Sequence, residues 1–286
     1  MAELMAIVNL TPDSFYAPSR VAPGDAAAFL DRVRSFVAAG ATILDLGAVS
    51  TRPGAVLPSL EEEWARLAPA LAEWKRVLCE RSEASVRISI DTFRAEIVRR
   101  AYEVIGDFIV NDISAGEDDP EMLPTVGRLG LEYVAMHKRG APGTMDSLCD
   151  YPDGVMAELV RYFTDFERRA AAAGVERWIL DPGLGFAKTV DQNWEILRRL
   201  PELQRFGRPI LIGAADKRFT REVPPDLLAA YAPEFVCHPE SVCHSERPLC
   251  HPERSEGSLS PTALGTAIAH RMALEGGAAI LRVHDI

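Results

Sequence analysis

The sequence lacks any apolar run approaching the roughly 20 residues that a membrane-spanning helix needs. Its first residues, Met1-Ala2-Glu3-Leu4, carry neither the basic nor the apolar stretch of a secretory leader. The five cysteines are odd in number, and Cys79 and Cys149 lie far apart, so no disulfide framework is implied. These three absences make a reducing cytoplasm the expected compartment. A basic face is missing as well: the net charge of -11 argues against nucleic acid as a partner. It still leaves room for a small anionic substrate in a local positive pocket. No Gly-x-Gly-x-x-Gly loop, Walker loop or Ser-His-Asp order occurs, which removes the common nucleotide and acyl-transfer sites.

What is present is a repeated unit, clearest at residues 178–189 (WILDPGLGFAKT). An apolar run of strand length ends in Asp181, passes through a Gly/Pro-rich turn and enters a helix. Thr189 and Gln192 have the spacing of a capping box at that helix's start. The same order recurs along the chain. Strands are expected at residues 4–9, 41–46, 86–90, 108–110, 132–136, 178–181, 209–212 and 279–283. Between them, helical periodicity begins near Asp25 (Phe29, Val33, Phe36 and Val37 on one face) and again after Ser59, with Glu62 three residues on. Further helices are expected near 94–104, 120–129, 153–173 and 265–277.

Eight strands alternating with helices, with polar residues gathered at the strands' C-terminal ends, predict a (β/α)8 TIM barrel occupying residues 1–286 as a single domain. A doubly wound sheet is the alternative. At 286 residues and 48% apolar content the chain suits one large α/β domain. Two places break the regularity. Residues 219–260 hold more chain than the connection after strand seven needs, and repeat Cys-His at Cys237-His238, Cys243-His244 and Cys250-His251. Those pairs do not have zinc-finger spacing, so a mobile low-complexity insertion is expected rather than a metal site. After strand eight no eighth helix is expected.

Asp91, Asn111 and Asp181 stand at the ends of strands three, four and six. Any one alone reads as readily as a turn or cap residue. Together on the catalytic face of a barrel they suit a flat, hydrogen-bonding ligand whose edge amides and carboxylates can read. Lys217 past strand seven, with Arg282 and His284 at strand eight, falls where such barrels bind phosphate. Arg52 adds a planar donor fork from the second loop. His137 is expected to be a satisfied loop histidine rather than a catalyst.

Six stretches carry a resemblance: residues 9–15 (NLTPDSF), 50–55 (STRPGA), 88–92 (ISIDT), 111–113 (NDI), 180–188 (LDPGLGFAK) and 282–285 (RVHD). In this order, over essentially the whole chain, they resemble the dihydropteroate synthases. The pterin-dependent methyltransferases share parts of the Asp/Asn pocket, but usually not both STRPG and RVHD. The resemblance implies condensation of (7,8-dihydropterin-6-yl)methyl diphosphate with 4-aminobenzoate, yielding dihydropteroate and diphosphate in folate synthesis. It implies that Asp91, Asn111, Asp181 and Lys217 hold the pterin, and that Arg282 and His284 bind diphosphate. Asn9 would ligate Mg²⁺ on the diphosphate. Thr51 and Arg52 would belong to a closing loop, with Arg52 and Phe186 on the aminobenzoate side. The family also dimerises near the insertion, so a homodimer is expected.

The chain departs from the family pattern after strand seven, with Ala215-Asp216-Lys217 in place of Ser-Arg-Lys. A lost hydroxyl and a reversed charge would weaken an anion site, by about 1 kcal/mol or more for like charges near a surface. The first loop lacks the usual Asp-Gly-Gly, and Val49 stands where Glu is common. These departures keep an alternative open: a non-catalytic or impaired pterin-binding homologue.

Overall fold

The computed structural model describes residues 2–11, 24–49, 57–80, 86–140, 144–233 and 260–284. Eight parallel strands form one sheet: β1 (Glu3–Asn9), β2 (Ile43–Gly47), β3 (Arg87–Asp91), β4 (Ile109–Asp112), β5 (Glu132–Met136), β6 (Trp178–Asp181), β7 (Leu211–Ile212) and β8 (Ile280–Val283). Their spatial order is β6-β5-β4-β3-β2-β1-β8-β7. A bridge between Leu180 and Ile210 joins the two ends and closes the ring. The TIM barrel expected from the repeated unit is therefore the fold.

Eight helices accompany the strands among the described residues: α1 (Ala26–Ala38), α2 (Leu60–Glu80), α3 (Ala95–Ile105), α4 (Met122–Leu129), α5 (Val155–Ala173), α6 (Val190–Arg198), α7 (Pro225–Tyr231) and α8 (Pro261–Glu275). The helix starts follow their caps. Ser59 Oγ accepts from the Glu62 N–H at 3.2 Å, and Glu62 Oε2 accepts from the Ser59 N–H at 2.8 Å. Thr189 and Gln192 form the same reciprocal pair ahead of α6. Asp25 caps α1 through the Ala28 N–H at 3.0 Å.

The strands are apolar on both faces because each face has its own core. Ala6, Val8, Leu44, Leu46, Ile88, Ile90, Val110, Tyr133, Ala135, Leu180, Ile212 and Val283 pack outward against the helices. A second cluster fills the barrel: Met5, Ile43, Ile109, Val134, Ile179, Leu211 and Ile280. Side chains two residues apart on a strand share a face. One step up from this inner layer therefore come Ile7, Asp45, Asn111, Met136, Asp181, Gly213 and Arg282. Another step brings Asn9 and Gly47. On β3 the same alternation gives Arg87, Ser89 and Asp91. Arg87 binds Glu3 Oε2 at 2.8 Å and Glu132 Oε2 at 2.6 Å at the barrel's opposite, N-terminal end. The interior thus runs from an ionic base through an apolar layer to a polar mouth.

Two sequence readings are revised. Strand seven, expected over 209–212, is only Leu211–Ile212 plus the bridge at Ile210. The front of the stretch read as a low-complexity insertion is folded. Residues 218–221 form a 3-10 turn and 225–231 form α7, where Trp194 Nε1 donates to Glu222 O at 2.9 Å and Phe219 and Leu227 are buried. An aromatic pair and an indole hydrogen bond hold this segment, which its composition did not signal. Thr51, Arg52 and the Cys-His pairs lie outside the described residues.

Candidate active site

The polar mouth is assembled from six strand ends. At its centre lies Asp45, fully buried on β2. Its Oδ1 accepts from Ser89 Oγ at 2.6 Å, and its Oδ2 from Asn111 Nδ2 at 3.0 Å and Arg282 Nε at 2.7 Å. Donors from β3, β4 and β8 thus converge on one carboxylate. This residue carries the geometry of the site, yet the sequence reading did not single it out. The usable signal was an aspartate inside an otherwise apolar five-residue strand, where an unpaired charge would be costly.

Arg282 also donates Nη2 to Asp91 Oδ2 at 2.9 Å, so its guanidinium lies between two pocket carboxylates. Asp91 is drawn up to about 7, first by burial; Arg282 opposes that, and the negative charges of Asp45, Asp112 and Glu63 add to it. Behind it, Glu63 of α2 is buried and accepts from Thr92 Oγ1 at 2.6 Å and from Arg94, which braces the turn after β3. A Cβ on Gly47 would stand 3.9 Å from both Asn9 Oδ1 and Asp91 Oδ2. Asn9, Gly47 and Asp91 therefore share the rim. His284 follows two residues beyond Arg282.

Asn111 is turned toward Asp45, while its neighbour Asp112 shapes the next turn. Asp112 accepts from the Ser114 N–H and Oγ, both at 2.7 Å, from the Gly116 N–H at 2.9 Å and from Tyr133 OH at 2.6 Å.

Asp181 ends β6, and its Oδ1 takes the Gly183 N–H at 2.8 Å. Burial raises its pKa, with Lys217 the principal opposing charge. Lys217 donates to Leu184 O, and its Nζ sits 4.6 Å from the centre of the Phe186 ring. Burial lowers Lys217 to about 8, with Asp181 holding it up and Arg282 pressing it further down. The turn between them is tight. A Cβ on Gly183, at φ +67°, would fall 2.0 Å from His137 O.

Asn9, Asp91, Asn111, Asp181, Phe186, Lys217, Arg282 and His284, chosen from sequence, thus all belong to strand ends or to the loops directly after them. Arg282 was assigned to diphosphate on resemblance; here its contacts are with Asp45 and Asp91 of the barrel mouth. Asp216, expected as a reversed charge beside the anion, is tied to α8 through its backbone. It adopts φ +54°, its N–H donates to Thr266 Oγ1 at 3.3 Å, and its carboxylate acts on His270. His137, expected to be a satisfied loop histidine, is fully buried just after β5 and only half satisfied: Nδ1 meets Lys188 Nζ at 2.9 Å, whereas Nε2 makes no hydrogen bond and lies 3.9 Å from Glu158 Oε1. Among the described residues no group of three or more His, Cys, Asp or Glu side chains could hold a metal ion.

Such an arrangement can read a planar heterocycle through carboxylate and amide edges while cations gather at the rim. Residues 5–284 match the family model described as pterin binding enzyme. The dihydropteroate synthase of Synechocystis sp. is 36% identical over 99% of this chain and 85% of its own length. The folic acid synthesis protein fol1 of Pneumocystis carinii is 37% identical over 99% of this chain, which spans only 34% of that longer protein. The solved structure of the Xanthomonas albilineans dihydropteroate synthase with 4-aminobenzoic acid superposes with a TM-score of 0.72 at 31% identity, covering 99% of this chain and 88% of that one. By its family match, its full-length likeness and its barrel mouth, this chain belongs to the pterin binding enzymes and, among them, to the dihydropteroate synthases.

Proposed function

We propose that this chain condenses (7,8-dihydropterin-6-yl)methyl diphosphate with 4-aminobenzoate, forming dihydropteroate and diphosphate. The observation that carries this reading is the convergence of Asn111, Asp91 and Arg282 around Asp45, with Asp181 and Lys217 across the mouth. A pterin edge offers ring N–H, amino and carbonyl groups, which suit carboxylate acceptors and amide or cationic donors. In the reaction the methylene carbon–oxygen bond breaks and diphosphate leaves with the electron pair. The amine nitrogen of aminobenzoate then bonds that carbon and loses one proton. Stabilising the departing anion matters more here than a general base, and the cluster of Lys217, Arg282 and His284 supplies positive and donor groups. Phe186 offers an apolar face for the aminobenzoate ring, and the family loop containing Thr51 and Arg52 would complete that side.

A magnesium ion arriving with the diphosphate fits this donor set. Asn9 brings one neutral, hard oxygen to the rim, and Mg²⁺ ordinarily keeps waters and substrate phosphates as its other ligands. The ion would neutralise charge on the leaving group. No helix among the described residues is long and apolar enough to cross a membrane. A cytoplasmic location and a homodimer complete the proposal.

The deciding experiment supplies purified chain with pterin diphosphate, 4-aminobenzoate and Mg²⁺, and follows dihydropteroate while pterin-diphosphate binding is titrated in parallel. Turnover is the expected result. Binding without turnover would establish the second reading, a pterin-binding homologue impaired at Ala215-Asp216. That reading is motivated by the missing hydroxyl, whereas the electrostatic effect of Asp216 on His270 of α8 speaks for a role outside the anion site. Neither binding nor turnover would overturn both.

A further inference from the structure

The turn between β6 and α6 is held almost atom by atom. Leu184 O accepts from Lys217 Nζ, the Gly185 N–H donates to Asn193 Oδ1 at 2.7 Å, and Ala187 O accepts from Tyr151 OH at 2.8 Å. Two further carbonyls belong to Lys188. Its Nζ donates to Gly183 O and to Phe186 O, each at 3.0 Å, and to His137 Nδ1 at 2.9 Å. An ammonium has three donors, and here it has three acceptors. With no hydrogen left over and the side chain buried, Lys188 is not placed to act as a nucleophile or to meet substrate.

The histidine is matched to this task. Burial, with Lys188 beside it, lowers His137 to about 4, so the ring is neutral at physiological pH. With Nδ1 accepting, the ring proton belongs on Nε2, which faces Glu158 Oε1 at 3.9 Å. Glu158 is fixed in turn by Arg139 at 3.0 Å and by Arg161. A chain of contacts therefore runs from α5 through the end of β5 to the turn that displays Phe186. Burial draws Lys188 down to about 7, with Lys217 and Arg139 adding to that and Asp181 opposing it, while the three acceptors around Nζ favour the ammonium form.

We propose that Lys188 is a positioning residue for the aminobenzoate half of the site. Its ammonium clamps Gly183 O and Phe186 O, and so keeps the Phe186 ring against Lys217 Nζ at 4.6 Å. Lys188 thereby sets the affinity for aminobenzoate without touching it. This rests on the reading that Phe186 lines the aminobenzoate side.

The test is steady-state kinetics of the full chain with Mg²⁺ and saturating pterin diphosphate, comparing wild type, Lys188→Met, Phe186→Ala and the double variant. Lys188→Met is expected to raise KM for aminobenzoate by about tenfold, with kcat and pterin-diphosphate affinity within about threefold of wild type. In the Phe186→Ala background the same change should add less than about twofold, because both substitutions remove one effect. Additive losses, or equal losses for the two substrates, would assign Lys188 to stability alone. If Lys188→Met does not fold, His137→Leu is measured instead; it removes one of the three acceptors and should shift aminobenzoate KM in the same direction by less. Failure of both to fold likewise overturns the proposal. A wild type that makes no dihydropteroate sinks the functional reading and this proposal with it, whereas an active wild type with an unchanged KM in the variants sinks this proposal only.

Discussion

Arg282 on β8 and Asp45 on β2 meet at 2.7 Å although 237 residues separate them and β1 lies between their strands. The pair sets the orientation of the guanidinium, and through the second Asp45 contact it also sets that of Asn111. Asp45→Asn keeps the volume but offers an amide where two donors converge. Breaking one partner of a buried pair costs about 3–5 kcal/mol, and the retained amide oxygen offsets part of that. We expect pterin-diphosphate affinity to fall at least about thirtyfold with the fold intact. Calorimetric titration alongside circular dichroism checks this, and an unchanged affinity would show that Arg282 is oriented by Asp91 alone.

Asp91 couples the site to pH. Its folded-state pKa of about 7 lies above the ordinary 3.8, so between those values the folded protein holds a proton that the unfolded chain has released. Asp91 therefore makes stability decline as pH rises from about 4 to 7, with no further effect above. Ligand binding has the opposite sign. A carboxylate accepting from pterin N–H groups must be ionised, so affinity should strengthen as pH rises through 7 and then level. Affinity measured from pH 5.5 to 8.5 should lose this rise in Asp91→Asn; a rise that survives the substitution would place the titration elsewhere.

The departure after strand seven is predicted to matter little. The Asp216 backbone N–H is bonded to Thr266 Oγ1, and its side chain acts electrostatically on His270, both on α8. Ala215→Ser with Asp216→Arg should change kcat/KM for aminobenzoate by less than about tenfold. A much larger gain would mean that the native chain is the impaired homologue.

Gly183 tests the tightness of the β6–α6 turn. A methyl there would meet His137 O at 2.0 Å on a backbone already at φ +67°. Gly183→Ala should destabilise the fold by about 3 kcal/mol or more, through backbone strain and displacement of the β5 end. Thermal unfolding would register this as a Tm lower by several degrees; an unaltered Tm would mean that the two turns move apart freely.

The barrel was readable because each unit repeats a local rule. Residues 132–136 and 178–181 are strands at the expected limits, and the Ser59–Glu62 and Thr189–Gln192 pairs mark helix starts through interactions within one turn. The strand-end acids and amides were readable for the same reason, since a polar residue closing an apolar run points to the mouth. Asp45 was not, because its meaning depends on Ser89, Asn111 and Arg282 from three other strands. Lys188 was visible as part of a motif, but its partner His137 is 51 residues away. The segment at 218–231 was misjudged because its anchors, Trp194 and Leu227, act through packing rather than through periodicity.

The joint between β6 and β7 rests on the single bridge at Leu180–Ile210 and the Leu180 N–H to Pro209 O bond of 2.9 Å, whereas β1 and β2 pair over five positions. Asp181 and Lys217 stand just above this joint, one on each side. The barrel is therefore hooped like a cask with one joint tied by fewer bonds than the rest, and the polar mouth sits over that joint. On the proposed function, a pterin held by both residues would span this joint and act as its extra nail, adding to the few bonds that tie it.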